Sequence, residues 1–194
     1  MSGETADPRI PPVPMEQRVG AVRERLNRLL PEGVEFSDAL PDRNLPCTLV
    51  RHPHFFEPWS MLGVRFRTGE LPLHDRELVT LRVAHRVGSP YEWAHHTRSA
   101  RISGVSDTEI DAVVVGPSDP SWNALTAAKL QAVDDIYRNQ RISAETWEII
   151  AQEYSDQQLI ELLMLIGFYS MTGWILNSIG IEVDEWLSQP SASR

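Results

Sequence analysis

Apolar residues recur along this chain at spacings of three and four, the signature of helices that each present one face to a core. Val19, Val22, Leu26 and Leu29 predict a helix over 15–30, ended by Pro31. A polar stretch rich in Pro and Asp follows over 31–47. Phe55, Phe56, Trp59, Leu62 and Phe66 mark a helix over 54–66, and Leu78, Leu81, Val83, Ala84 and Val87 mark another over 75–87 that stops at Gly88. The next helix spans 91–102. Ser106 and Glu109 form a capping box that opens a short helix ending at Gly116. Ser121 is expected to cap a helix reaching Arg138, Ser143 one reaching Tyr154, and Ser155 with Gln158 the last and most apolar one. No run alternates with period two between turn signals, so the expected class is all-α.

The segment 159–179, LIELLMLIGFYSMTGWILNSI, approaches the roughly 20 residues that span a bilayer. It carries Glu161 and Asn177 and lacks a flanking basic cluster, so the expectation is a helix buried on most sides of a bundle, with no membrane partner. Phe55, Phe56, Trp59, Tyr169 and Trp174 are read first as core aromatics. The ends read as loose: a Pro-rich arm over 1–15 without a signal-peptide pattern, and a tail over 188–194, bracketing one helical domain over 16–187.

Composition narrows the function. The 194 residues are 42% hydrophobic, which excludes a disordered chain, and a net charge of −9 disfavours nucleic acid, whose phosphates require clustered Lys and Arg. The one cysteine, Cys47, excludes an intramolecular disulfide, a cysteine-only zinc site and a dithiol redox pair, and fits a reducing cytoplasm.

Titratable groups crowd into 73–102, where two helices meet at Gly88-Ser89-Pro90: Glu77, Arg82, His85, Glu92, His95 and His96. Glu92 shares a helix face with His95 and with His96, so either pair can set a carboxylate against an imidazole for acid–base work. Ser89-Pro90-Tyr91-Glu92 also reads as a capping box, which leaves Glu92 either catalytic or a cap. Counting helical rise on a parallel-sided hairpin leaves Glu77 and His96 offset by about 7 Å, so they meet only if the helices cross or a water bridges them. Arg82 matches His96 better in height and is either a clamp for a substrate carboxylate or an ion-pair residue. Trp93, beside the histidines, is the aromatic best placed to line a ligand cavity. Glu92-x-x-His95 is half of a di-iron carboxylate pattern, but no second copy exists; adjacent histidines, about 100° apart on a helix, suit zinc poorly. No metal is expected.

The phrases LPLHDRELVTLRVAHRVGSPYEWAHHTRSARISGVSDTEI and QLIELLMLIGFYSMTGWILNSIGIEV resemble the carboxymuconolactone decarboxylase family, which includes the alkylhydroperoxidase D-like proteins. The resemblance covers roughly 44–184 and implies a multihelical bundle with a central helical hairpin, assembled as a dimer, trimer or hexamer. In the peroxidase branch a Glu is followed by Cys-x-x-Cys and then a His. Glu77 and His96 fall on the Glu and His positions, while Ser89 and Glu92 replace the two cysteines. Thiol–disulfide chemistry needs those thiols, so the resemblance points to the thiol-free, decarboxylase-like branch. That branch implies a cofactor-free lyase acting on a small organic acid or lactone, as in the degradation of aromatic compounds. His96 would move the proton, Glu77 would orient it, Arg82 or His95 would hold the substrate carboxylate, and Trp93 would form a wall. An alkylhydroperoxidase-like antioxidant and a non-catalytic ligand-binding oligomer remain the alternatives.

Overall fold

The computed structural model describes residues 7–29 and 43–188. The helices in chain order are α1 Ala21–Asn27, α2 Asn44–Leu49, α3 Pro53–Arg65, α4 Leu73–Val87, α5 Pro90–Ile102, α6 Asp107–Val115, α7 Ala124–Asn139, α8 Ala144–Ala151, α9 Asp156–Ile179 and α10 Glu185–Ser188. No strand occurs among the described residues, so the fold is all-α. The chain divides into two units: residues 68–174 form one, and the segments before and after it form the other.

In the 68–174 unit, α4 packs against α5, α6 and α7, and α7 against α8. Leu78 and Leu81 of α4 meet Ala100, Val105, Ile110, Val113 and Leu130 in a sealed core. Each buried leucine contributes about 2 kcal/mol by removal from water. The α4–α5 turn follows from Gly88, whose φ of 66° is the left-handed conformation that ends helices; its N–H and that of Ser89 donate to the His85 and Ala84 carbonyls. A second lock joins α4 to α6 and α7. Arg82 Nε and Nη2 reach the two carboxylate oxygens of Asp134 at 2.9 and 2.6 Å, and Nη1 donates to the Val113 and Val114 carbonyls at the end of α6. Gly116 follows at φ 98°, and a Cβ there would lie 2.5 Å from the Arg82 guanidinium. Buried Lys129 pairs with Asp75, which also accepts the Tyr154 hydroxyl at 2.6 Å.

The other unit gathers Val13, Leu26, Cys47, Val50 and Phe56 into its own cluster. The expected arm is pinned over part of its length: the Arg9 N–H donates to Ile179 O and the Val13 N–H to Cys47 O, both at 2.8 Å. Residues 1–6 of that arm and 189–194 of the tail lie outside the described residues.

Local expectations fare unevenly. The capping box of Ser106 and Glu109 is present, as are the caps by Ser143 and by Ser155 with Gln158. The helix expected over 15–30 is interrupted at Gly20, whose φ of 52° separates a short 3₁₀ turn, Met15–Gln17, from α1. α2 lies partly inside the stretch read as polar, because Leu45, Pro46 and Cys47 are buried. Helix α7 starts two residues later than expected. Asp119 takes up Ser121, through its N–H at 2.9 Å and its hydroxyl at 2.6 Å, and Asn123 supplies the cap to the Thr126 N–H instead. α9 is also not buried on most sides. Ile160, Leu163, Met164, Met171 and Trp174 are exposed, so Trp174 is not a core residue.

Candidate proton-relay site

α4 and α5 face each other across the Gly88 turn, and that pairing assembles the site. Glu77 lies on α4; Glu92 and His96 lie one helical turn apart on α5. The Glu77 and His96 side chains meet directly, with Oε2 to Nδ1 at 2.8 Å. The two side chains thus close the offset of about 7 Å that rise counting leaves between these positions, without a bridging water. On the other side of the ring, Nε2 stands 3.2 Å from Glu92 Oε2.

The capping alternative for Glu92 is half realised. The Ser89 hydroxyl accepts the Glu92 N–H at 3.4 Å, yet the Ser89 N–H donates to Ala84 O. The Glu92 carboxylate consequently turns to His96.

Arg76 completes the array. Its Nε and Nη2 reach Glu77 Oε1 at 3.1 and 2.6 Å, leaving Oε2 to the imidazole. Neighbours in sequence do not share a helix face, so Arg76 carried no spacing signal, and only the long guanidinium stem makes the contact possible. Positive and negative groups then alternate: Arg76, Glu77, His96, Glu92. The Tyr169 ring of α9 stands edge-on to His96, with centroids 4.7 Å apart.

All of this is nearly dry. Side-chain exposure is 2% for Glu77, 5% for Glu92 and 13% for His96. Burial pulls the His96 pKa down, but the hydrogen bonds and charges of Glu77 and Glu92 outweigh it and raise the value to about 9. Burial likewise pushes the Glu77 carboxyl up, and the His96 and Arg76 contacts overcome it, leaving the carboxyl below its ordinary value. His96 is thus an imidazolium at neutral pH, with both N–H groups directed at carboxylates.

The other candidates go elsewhere. Arg82 is buried in its pair with Asp134 and the α6 carbonyls, so it does not clamp a substrate beside His96. His95 stacks on Tyr91 at 4.4 Å, and Trp93 packs on the α4 core cluster with its ring edge toward His85. A cavity of about 380 Å3 in this unit is lined by His74, Asp75, Trp122 and Lys129 among others, and none of the relay residues lines it. Among the described residues no group of three His, Cys, Asp or Glu side chains is arranged to hold a metal.

A model of the carboxymuconolactone decarboxylase family matches residues 55–135, the stretch that carries Glu77, Glu92 and His96. Over these residues the chain is similar to the carboxymuconolactone decarboxylase family. No curated protein sequence matches the chain. Among solved structures, the debrominase Bmp8 in its apo form is similar at TM-score 0.74 and 15% identity, covering 92% of this chain and 94% of that one. A cysteine-to-alanine variant of that debrominase, in complex with 2,3,4-tribromopyrrole, is similar at TM-score 0.71 and 15% identity, covering 92% and 93%. A protein of unknown function from Agrobacterium tumefaciens, suggested there to be the antioxidant defence protein AhpD, has TM-score 0.65 and 19% identity, covering 70% of this chain and 94% of that one. These likenesses establish the AhpD-like fold. Ser89 and Glu92 lie within the matched residues. The chain's cysteine, Cys47, has no exposed surface and sits in the core of the other unit.

Proposed function

We propose that the protein is a cofactor-free acid–base enzyme of the decarboxylase-like type, acting on a small organic acid or lactone. The observation that carries this reading is the unbroken Glu77–His96–Glu92 array with an imidazolium at its centre. Breaking a C–CO₂ bond leaves its electron pair as an enolate. A buried cation next to that charge stabilises it, and Nε2–H of His96 is positioned to protonate it. CO₂ leaves, one proton is consumed, and the neutral imidazole, held by Glu77 at Nδ1, regains a proton from water. The substrate carboxylate would exchange for that of Glu92 at Nε2, one anion for another.

Cys47-dependent peroxidase chemistry is disfavoured, since a reactive thiolate needs solvent access and a cationic neighbour. A non-catalytic, ligand-binding role has two observations in its favour: the polar ring atoms of His96 are already taken up by carboxylates, and none of the relay residues lines the cavity of this unit. Assaying carboxymuconolactone and related acids with wild type and His96→Ala separates the two. Turnover lost in His96→Ala supports the enzyme reading. Equal turnover, or none in wild type alongside binding at His96, overturns it.

A further inference from the structure

The cavity of about 380 Å3 in the 68–174 unit is a second gathering of polar side chains, and no relay residue lines it. Its walls come from the starts of three helices: His74 and Asp75 of α4, Thr108 and Glu109 of α6, and the segment 121–129 that leads into α7. Its size falls within the roughly 300–1,000 Å3 of small-molecule sites. The charges around it are already matched. Asp75 accepts from Lys129 at Oδ1 and from the Tyr154 hydroxyl at Oδ2. Glu109 Oε1 stands 3.1 Å from His74 Nε2, and its Oε2 accepts the Ser106 N–H and hydroxyl. An added anion meets two carboxylates, and an added cation meets Lys129. A charged ligand therefore arrives with no free counter-charge.

Hydrogen bonding is what remains unmatched. A lysine ammonium carries three N–H donors. Lys129 lines the cavity with its side chain only 3% exposed, and among the described residues its ammonium meets one acceptor, Asp75, besides the Tyr154 ring at 6.0 Å. Its remaining N–H groups are donors held away from bulk water, a costly state that a ligand oxygen relieves. Asn123 gives its carboxamide oxygen to the Thr126 N–H at 2.8 Å, which leaves the NH2 end. Thr108 and Thr126 add hydroxyls that both donate and accept. The apolar part of the wall is Leu125 and Trp122. The indole N–H is already given to the Gly116 carbonyl at 3.1 Å, so Trp122 offers hydrocarbon surface.

We propose that this cavity binds a neutral polyhydroxylated ring of monosaccharide size, its C–H surface against Trp122 and Leu125 and its hydroxyls bonded by Lys129, Asn123 and Thr126. Such a ring carries apolar faces and hydroxyl edges, which matches an aromatic wall beside unspent donors. It brings no charge to disturb the Lys129–Asp75 and His74–Glu109 pairs. The site is independent of the acid–base reading of His96.

The isotope-labelled full chain is titrated by NMR with D-glucose, D-galactose, D-ribose and myo-inositol, and with benzoate and putrescine as the anionic and cationic comparisons. At least one polyol is expected to give saturable shifts at the Asn123 side-chain NH2 and the Thr126 amide. Thr108→Trp, at an exposed position of the lining, should fill the space and abolish those shifts, with helical content unchanged by circular dichroism. Thr126→Val keeps the side-chain shape and removes one hydroxyl, so it should weaken binding roughly 2- to 10-fold. It carries the test if the tryptophan variant does not fold. The proposal is overturned if no polyol of the set saturates these signals, or if binding is indifferent to the variants. It is equally overturned if benzoate or putrescine saturates them and no polyol does.

Discussion

Glu77 Oε2 and His96 Nδ1 stand 2.8 Å apart, 19 residues apart in sequence and on different helices. This contact fixes which imidazole nitrogen faces α4 and leaves the other to Glu92. It also makes the site's charge a property of the α4–α5 pairing.

The pKa of His96 should be directly visible. Its folded value of about 9 lies above the ordinary 6.5. The protonated form is therefore the favoured folded form, and the stability it contributes is complete below pH 6.5 and lost as pH rises through about 9. Glu77, held below its ordinary value, acts in the opposite sense, contributing above 4.5 and losing that contribution as pH falls through its folded value. Imidazole titration by NMR should place His96 well above the ordinary 6.5, and denaturant unfolding should weaken between pH 6.5 and 9. An ordinary titration near 6.5 would contradict the double-carboxylate geometry.

Glu92→Gln distinguishes a relay carboxylate from a cap. Glutamine retains the Ser89-to-Glu92 backbone cap and the side-chain volume, so a loss of stability at neutral pH reports the missing charge beside His96 and not the cap. It removes one of the two carboxylates on the ring, so the His96 pKa should fall while Glu77 still holds it above that of a lone buried histidine. A His96 titration that does not move in this variant would show that Glu92 serves only the helix start.

Gly116→Ala should destabilise the protein by about 2–4 kcal/mol, because it combines a left-handed backbone with a Cβ pressed against Arg82. Arg82→Ala leaves Asp134 without its bidentate partner and should cost about 3–5 kcal/mol. The two losses should fall short of adding in the double variant, because the Cβ clash disappears with the guanidinium. Chemical denaturation of the single and double variants measures this directly.

At the start of α7, Asn123→Ala should cost about 1 kcal/mol through the lost bond to the Thr126 N–H. Ser121→Ala should cost less, since Ser121 only closes a turn with Asp119. The reverse order in thermal melts would return the cap to Ser121.

Much of the fold is written locally. The capping boxes, the Gly88 stop and the apolar spacing of α4 and α5 depend on residues three or four apart, whose relation a helix dictates. Candidate chemistry was legible to the same extent: Glu92 and His96 are neighbours by spacing alone, and the absence of paired thiols follows from the single cysteine. Arg82, His95 and Trp93 were equally plausible from spacing, and each found its partners in packing.

What only the tertiary structure decided is which long side chains meet across helices. A guanidinium or a carboxylate can reach several neighbours within one helical turn. Its partner is selected by the crossing of α4 with α5, α6 and α7, which is set by the volumes of Leu78, Leu81 and Leu130 in the core. That packing brought Glu77 to His96 and sent Arg82 to Asp134. It also determined which face of the apolar α9 remained outside. Hydrophobic content alone, being non-directional, could name that helix as apolar but not which of its sides the fold would cover.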